Sequence, residues 1–308
     1  MSIRFASAPC SWGVEDPNNP YIPSWENVLD EVAEAGYKGI ELGPYGYFPL
    51  DPPLVSESLR KRGLNIIGGT LFDDFVSEKN LPQLIKKAED ICSLISQLPK
   101  EKLVNGGKFA PPYLVLIDII KPERSPYAGN PDKAPRLDDT HWASLLTNIE
   151  FISTLAWTKY GVRAVLHPHA GGYIEFADEI DRFLDNSSYE TTGLCLDAGH
   201  LYYSRMDPAQ WLKDKYDRID FIHFKDIDRA VYDRAITEEM DFFKACENKV
   251  MCPIGKGAVD YGAIIKTLSE LGYNGWITLE QERDPREHHK TLNDIKESLT
   301  YLHEVGFN

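Results

Sequence analysis

Eight short runs rich in apolar and β-branched residues recur along the chain. Longer stretches with apolar residues at helical spacing lie between them, and this alternation constrains the fold more than any other feature. The runs are Ile3–Ala8, Gly39–Leu42, Asn65–Leu71, Tyr113–Asp118, Arg163–His167, Gly193–Asp197, Asp220–Phe224 and Trp276–Glu280. Strands joined through helices pair in parallel, because the connection must cross back over the sheet. Eight such units predict closure into an α/β (β/α)8 barrel of the TIM type, one domain over residues 1–308.

The helical stretches carry their own punctuation. Ser24 reads as an N-cap with Asn27 and Val28 behind it, and that helix ends at Gly36. Residues Leu81–Leu98, Trp142–Tyr160, Phe176–Leu184, Trp211–Tyr216 and Tyr261–Leu271 follow the same helical periodicity. Ala35-Gly36-Tyr37-Lys38-Gly39-Ile40-Glu41-Leu42 is echoed by Leu271-Gly272-Tyr273-Asn274-Gly275-Trp276-Ile277-Thr278. Each copy predicts a left-handed glycine cap, a packed tyrosine and the start of a strand. Two segments break the rhythm. Lys121–Arg136 is proline- and glycine-rich and follows the fourth strand, and Asp226–Asp260 follows the seventh. Both fall on the catalytic face of a barrel, where a lid and a plain surface insertion are equally good readings.

Composition narrows the function classes. The net charge of −15 argues against a nucleic-acid partner, which needs a basic face. The five cysteines, Cys10, Cys92, Cys195, Cys246 and Cys252, form no CxxC pair, so neither a disulfide framework nor a thiolate zinc site is expected. The N-terminus has no signal-peptide core and no apolar run reaches membrane length, which points to a cytoplasmic protein with no membrane partner. Walker A, GxSxG and HExxH patterns are absent. Gly255-Lys256-Gly257 reads as a turn that brings Lys256 near a substrate only at low odds.

In a barrel the C-terminal ends of the strands face the active site. Here they finish in His167-Pro168-His169, Asp197-Ala198-Gly199-His200, His223-Phe224-Lys225-Asp226, Glu280-Gln281-Glu282 and Glu41-Leu42-Gly43. Four of the eight histidines fall on three consecutive strand ends. His167, Asp197, His223 and Glu280 together make a mixed nitrogen and oxygen set for one divalent metal. Such a set suits Mn, Co, Fe or Zn better than Ca or Mg. Each has a plainer reading: His223 as a core histidine, Asp197 as a helix cap. Glu280 is hardest to dismiss, because a buried carboxylate needs a partner. His141, His288, His289 and His303 read as surface residues.

At these residues the chain resembles the xylose isomerase-like TIM-barrel superfamily of sugar isomerases, ketose epimerases, inosose dehydratases and endonucleases, over nearly its whole length. It is most similar to the inosose dehydratase branch of inositol catabolism. The resemblance rests on His167-Pro168-His169-Ala170-Gly171, Asp197-Ala198-Gly199-His200 and His223-Phe224-Lys225-Asp226. It continues through Pro253-Ile254-Gly255-Lys256-Gly257-Ala258-Val259-Asp260 and Gly275, Trp276, Glu280, Glu282, Asp284 and Pro285, with an opening of Ala8-Pro9-Cys10-Ser11-Trp12-Gly13. The isomerases and epimerases usually carry Glu where His167 stands. The dehydratases usually carry three histidines in a row there.

The resemblance implies a metal-dependent carbon–oxygen lyase of carbohydrate metabolism acting through an enediolate on a keto-inositol, or alternatively a sugar isomerase or epimerase. It implies a small sugar or cyclitol partner and a divalent metal (Mn or Co, with Zn, Fe and Mg behind them). Barrels of this superfamily often pair as homo-oligomers. Glu280 or His169 is then the base and His200 or Lys225 the acid. Glu41, Trp12 and Glu282 are placed against the substrate. A DNA nuclease would need three metals and a basic face. A non-catalytic sugar binder would not need acid and base residues beside the ligands.

Overall fold

The computed structural model describes residues 2–103 and 107–307. Eight parallel strands close into a barrel: β1 (Ile3–Ser7), β2 (Gly39–Glu41), β3 (Asn65–Asp73), β4 (Tyr113–Asp118), β5 (Arg163–Leu166), β6 (Thr192–Asp197), β7 (Ile219–Phe224) and, after a short antiparallel ribbon of β8 (Asp226–Ile227) and β9 (Met251–Cys252), β10 (Gly275–Leu279). Each strand neighbours its successor around the barrel, and β10 closes it against β1 with Ile3 opposite Gly275. The eight expected strands are the eight barrel strands, and their ends agree to within two residues.

Helices α1 (Trp25–Glu34), α2 (Pro52–Arg62), α3 (Leu81–Ile95), α4 (Asp139–Tyr160), α5 (Ala177–Asn186), α6 (Ala198–Tyr203), α7 (Pro208–Asp214), α8 (Arg229–Thr237), α9 (Phe242–Glu247), α10 (Tyr261–Leu271) and α11 (Thr291–Glu304) complete the chain. Ser24 caps α1 by accepting from the Asn27 N–H at 3.3 Å. The repeated glycine-tyrosine junction behaves alike in both copies. Gly36 and Gly272 have φ of 97° and 66°. Tyr37 and Tyr273 are buried, donating to the carbonyls of Ile295 and Trp276 at 3.0 and 2.7 Å. Periodicity alone passes over α2, because only Val55 and Leu59 form its buried apolar face. Its signal lies in its ends: Asp51 caps it, prolines open it, and Arg60-Lys61-Arg62 lead into Gly63 at φ 65°.

Inside the barrel lies a separate apolar layer of Ala6, Ile67, Tyr113, Val115, Val165, Cys195, Phe221 and Trp276, with Tyr113 stacked on Phe221 at 4.8 Å. The larger core fills the space between strands and helices. Among the described residues no helix is long and apolar enough to cross a membrane.

Candidate active site

Alternation along the strands builds the site. Side chains two apart share a strand face. Val165 in the inner layer therefore leads up to His167, Cys195 to Asp197, Phe221 to His223 and then Lys225, and Trp276 to Thr278, Glu280 and Glu282. Cross-strand register sets Asp197 beside His223 and His223 beside Thr278. His167 and Glu280 lie one residue past their strands, yet the ladder continues through them. Their N–H groups donate to Leu116 and Phe224 carbonyls at 2.9 and 3.0 Å. The apolar layer thus lies beneath the site, and the polar layer stands directly on it as the floor of the cavity.

One ligand atom from each of His167, Asp197, His223 and Glu280 falls within 4.8 Å of the others. Neither ring nitrogen of His167 or His223 makes a hydrogen bond, although both residues are buried. Orphaned buried nitrogens facing two carboxylates fit a divalent cation, since buried polar groups otherwise find partners. Asp197 serves both readings its sequence allowed. Its Oδ1 caps α6 by accepting from Gly199 and His200 N–H at 2.8 and 3.0 Å, and its Oδ2 lies 3.7 Å from His167 Nε2. Cys195 lies beneath the two histidines, with its thiol pushed up to about 11 by burial.

The electrostatics sort these groups. Burial would raise Asp197 and Glu280. Lys225 holds both below the usual carboxylate range, helped by His167 at Asp197 and by His223 at Glu280. Burial pushes His167 down, so its imidazole is neutral, the form that binds a metal. Burial works against the charged form of His223 too, yet the Cys195 sulfur and the Glu280 and Glu41 carboxylates hold it well above its ordinary value. The negative surroundings of His223 thus favour a cation at this point. Lys225 feels the same field. Its Nζ meets Asp197 Oδ2 at 2.8 Å, the Glu280 carboxylate, and Glu282 Oε1 at 3.5 Å. Those carboxylates overcome the lowering effect of burial and raise its pKa well above the ordinary lysine value. Lys225 therefore sits as a positive charge among these carboxylates.

A second trio, His169, His200 and Glu282, also has ligand-type atoms within 4.8 Å of one another. Its two rings are 3.9 Å apart. Ala170 stands between them and assigns their protons. The His169 Nδ1 faces the Ala170 carbonyl at 2.9 Å, so Nδ1 donates and Nε2 carries the lone pair. The Ala170 N–H donates to His200 Nδ1 at 3.3 Å, so His200 bears its proton on Nε2, which is buried without a partner. Burial keeps both rings neutral, pushing His169 down to about 3 and His200 well below its usual value. Glu282 is raised, by burial and then by Glu280, and its Oε2 is likewise unpaired.

His167, His169, His223, Lys225, Glu280 and Glu282 line a cavity of about 640 Å³, with Asp197 and His200 behind them. Glu41 lines it, but its Oε1 lies 2.8 Å from His223 Nε2 while His223 Nδ1 lies 3.2 Å from Glu280 Oε2. Its place is therefore behind a ligand histidine. Trp12 is not a cavity wall: it is fully buried and donates from Nε1 to Glu31 of α1 at 2.6 Å. Lys256 pairs with Glu297 of α11, outside the cavity; its turn supplies the Gly255 and Gly257 N–H groups that, with those of Ile227 and Val259, hold the Asp226 carboxylate. The two irregular segments cover the site together. Ser125 Oγ accepts from Phe242 N–H at 3.1 Å and also bonds the Asp241 carboxylate. Phe242 then packs on His169 and His200 at 5.5 and 5.9 Å. Sequence reasoning missed Phe242, Phe243, Cys246 and Glu247, because nothing in the α8–α9 insertion marks which turn faces inward.

The family model for the xylose isomerase-like TIM barrel matches residues 29–305. The chain belongs to that family. It is 30% identical over 297 residues to an inosose dehydratase of Geobacillus kaustophilus, covering 93% of this chain and 90% of the relative. Its fold is similar to that of a probable 3-DHS dehydratase, AsbF of Bacillus anthracis (TM-score 0.72, 16% identity, 97% of this chain and 98% of that one). It is also similar to the IolI protein solved with a bound zinc (TM-score 0.69, 15% identity, 97% of each chain). The chain is an enzyme of the lyase or the isomerase and epimerase type.

Proposed function

We propose that this family member is a cytoplasmic, metal-dependent dehydratase whose substrate is an inosose, 2-keto-myo-inositol. The observation that carries this reading is the pair of opposite tautomers that Ala170 imposes on His169 and His200 beside the His167, Asp197, His223 and Glu280 cluster. Removing water from a hydroxyketone needs a base at one carbon and a proton donor at the next; His169 lines the cavity, and His200 carries the donor proton behind it, ring to ring at 3.9 Å and beside Glu282. The similarity to inosose dehydratases along most of the chain supports the same substrate.

A divalent ion held by the four residues, manganese or cobalt here, supplies Lewis-acid polarisation of the ketone and stabilises negative charge on its oxygen. His169 Nε2 takes the proton from the carbon next to the ketone, giving the enediolate. His200 Nε2–H gives its proton to the hydroxyl one carbon further on, which leaves as water, and the remaining enol becomes a 1,2-dione. Lys225 keeps Asp197 and Glu280 anionic throughout. Glu282, beside both histidines, is placed to bind a substrate hydroxyl and return protons between them.

Metal-stripped protein given 2-keto-myo-inositol with Mn²⁺ or Co²⁺ is expected to form the dione, followed by absorbance. No dione with any metal overturns the reading in favour of ketose isomerisation or epimerisation. That alternative shares the first proton transfer and would be read by solvent deuterium entering candidate sugars.

A further inference from the structure

The cavity is larger than an inosose requires. About a dozen non-hydrogen atoms at ~30 Å³ each, the volume share of a liquid water, would occupy at most roughly 360 Å³. The cavity holds about 640 Å³. The surplus has a distinct chemical character. Tyr21, Phe72 and Phe243 line the cavity from three separate segments, yet they are 59%, 38% and 55% exposed. Large apolar side chains left in water at a pocket mouth mark a surface that a ligand covers. Phe72 and Phe243 continue an aromatic path that starts at the reacting groups: Phe72 lies 6.0 Å from the His169 ring, His169 5.5 Å from Phe242, and Phe242 6.4 Å from Phe243.

The charged groups around this path exclude an anionic substituent. The cations that line the cavity are all engaged: Lys225 by Asp197 and Glu280, Arg283 by Asp294 at 2.6 Å, and Arg286 by Asp284 at 2.8 Å. Glu247 adds a carboxylate at the mouth. Among the described residues, a phosphate or carboxylate there would meet carboxylates and no unpaired cation.

Resting on the proposed hydroxyketone chemistry, we infer that the outer half of the cavity is a subsite for an uncharged aromatic ring carried by a cyclic hydroxyketone, held by Tyr21, Phe72 and Phe243. The ring stacks along the aromatic path while the keto-sugar reaches the histidine pair.

The test compares the 5-O-phenyl and 5-O-methyl ethers of 2-keto-myo-inositol, whose substituents lie across the ring from the ketone and leave the departing hydroxyl unchanged, alongside 2-keto-myo-inositol itself, with the metal-loaded full chain. The phenyl compound is expected to show kcat/KM at least ~10-fold above the methyl compound, through KM, as stacking on an aromatic wall predicts. Phe243→Ala and Tyr21→Ala are expected to shrink that ratio toward one, and Phe243→Tyr to keep it. Equal constants for the two ethers overturn the subsite, whatever the rate with the unsubstituted keto-inositol. If no ketone is turned over, the dehydratase reading has failed, and calorimetric binding of the same two ethers decides the subsite alone. A phenyl preference lost in Phe243→Ala sustains it, and equal affinities overturn it.

Discussion

The floor and the mouth of the cavity are held by different physics. On the floor, His167, Asp197, His223 and Glu280 ride on barrel strands, their inward direction set by two-residue alternation above the Val165, Cys195, Phe221 and Trp276 layer. At the mouth, Tyr21, Phe243 and Glu247 ride on loops and a short helix, positioned by contacts distant in sequence such as Ser125 with Asp241 and Phe242. The floor is polar, crowded and nearly dry. The mouth carries exposed aromatic side chains among charged ones. A strand fixes a side chain to a fraction of an ångström, which charge-on-charge chemistry demands, whereas an apolar contact tolerates the looser placement a loop provides. The difference teaches that reaction type belongs to the barrel and substrate choice to its insertions.

The sharpest way to break this division is on the floor itself. Glu280→Gln is expected to abolish stoichiometric metal binding, read by elemental analysis of the purified protein. It should lower dehydratase turnover by roughly three orders of magnitude, the scale of several kcal/mol of charge stabilisation. Retained metal with full activity would remove Glu280 from the cluster. His169→Gln and His200→Gln are each expected to lower kcat by ~10²–10⁴-fold while the metal content stays that of the wild type. Loss of metal in either would make the trio a ligand set rather than an acid and base pair.

Glu41→Gln probes the group behind the floor. With the carboxylate 2.8 Å from His223 Nε2 removed, metal affinity is expected to fall by ~10–100-fold in a competition titration, with the fold intact by circular dichroism. Unchanged affinity would leave Glu41 a substrate contact. The smallest effect concerns the joint between floor and mouth. Glu175 is buried against Arg124 at 3.3 Å and Glu179, accepts from Gly129, Gly171 and Ser204, and so ties the segment after β4 to the loop carrying His169. Burial raises its pKa from 4.5 to about 7, only partly offset by Arg124. A carboxyl raised on folding binds its proton more tightly folded than unfolded, so the wild type loses stability as pH rises from about 4.5 through 7. Glu175→Gln lacks that titration. Its Tm relative to wild type is expected to rise by ~2–5 °C between pH 5 and pH 8. A flat difference would show that Arg124 keeps Glu175 ionised at both.

From the sequence by itself came the barrel, because strand and helix periods are local properties of the chain and eight strands alternating with helical stretches leave few other ways to bury both faces. The residues on the strand ends were legible for the same reason: His167, Asp197, His223 and Glu280 stand where a two-residue period, counted upward from the apolar layer, turns them inward together. Helix α2 escaped that reading, since two buried apolar residues make too faint a stripe. Only the tertiary structure decided what depends on neighbours far along the chain. It set Glu41 behind His223, sent Trp12 into the core against Glu31, placed Lys225 as a positive charge among three carboxylates, and gave Ala170 the two histidine protons to assign. A residue type states what a side chain can donate or accept. Which of its atoms does so, and at what pKa, is set by burial and by partners that meet only when the barrel has closed.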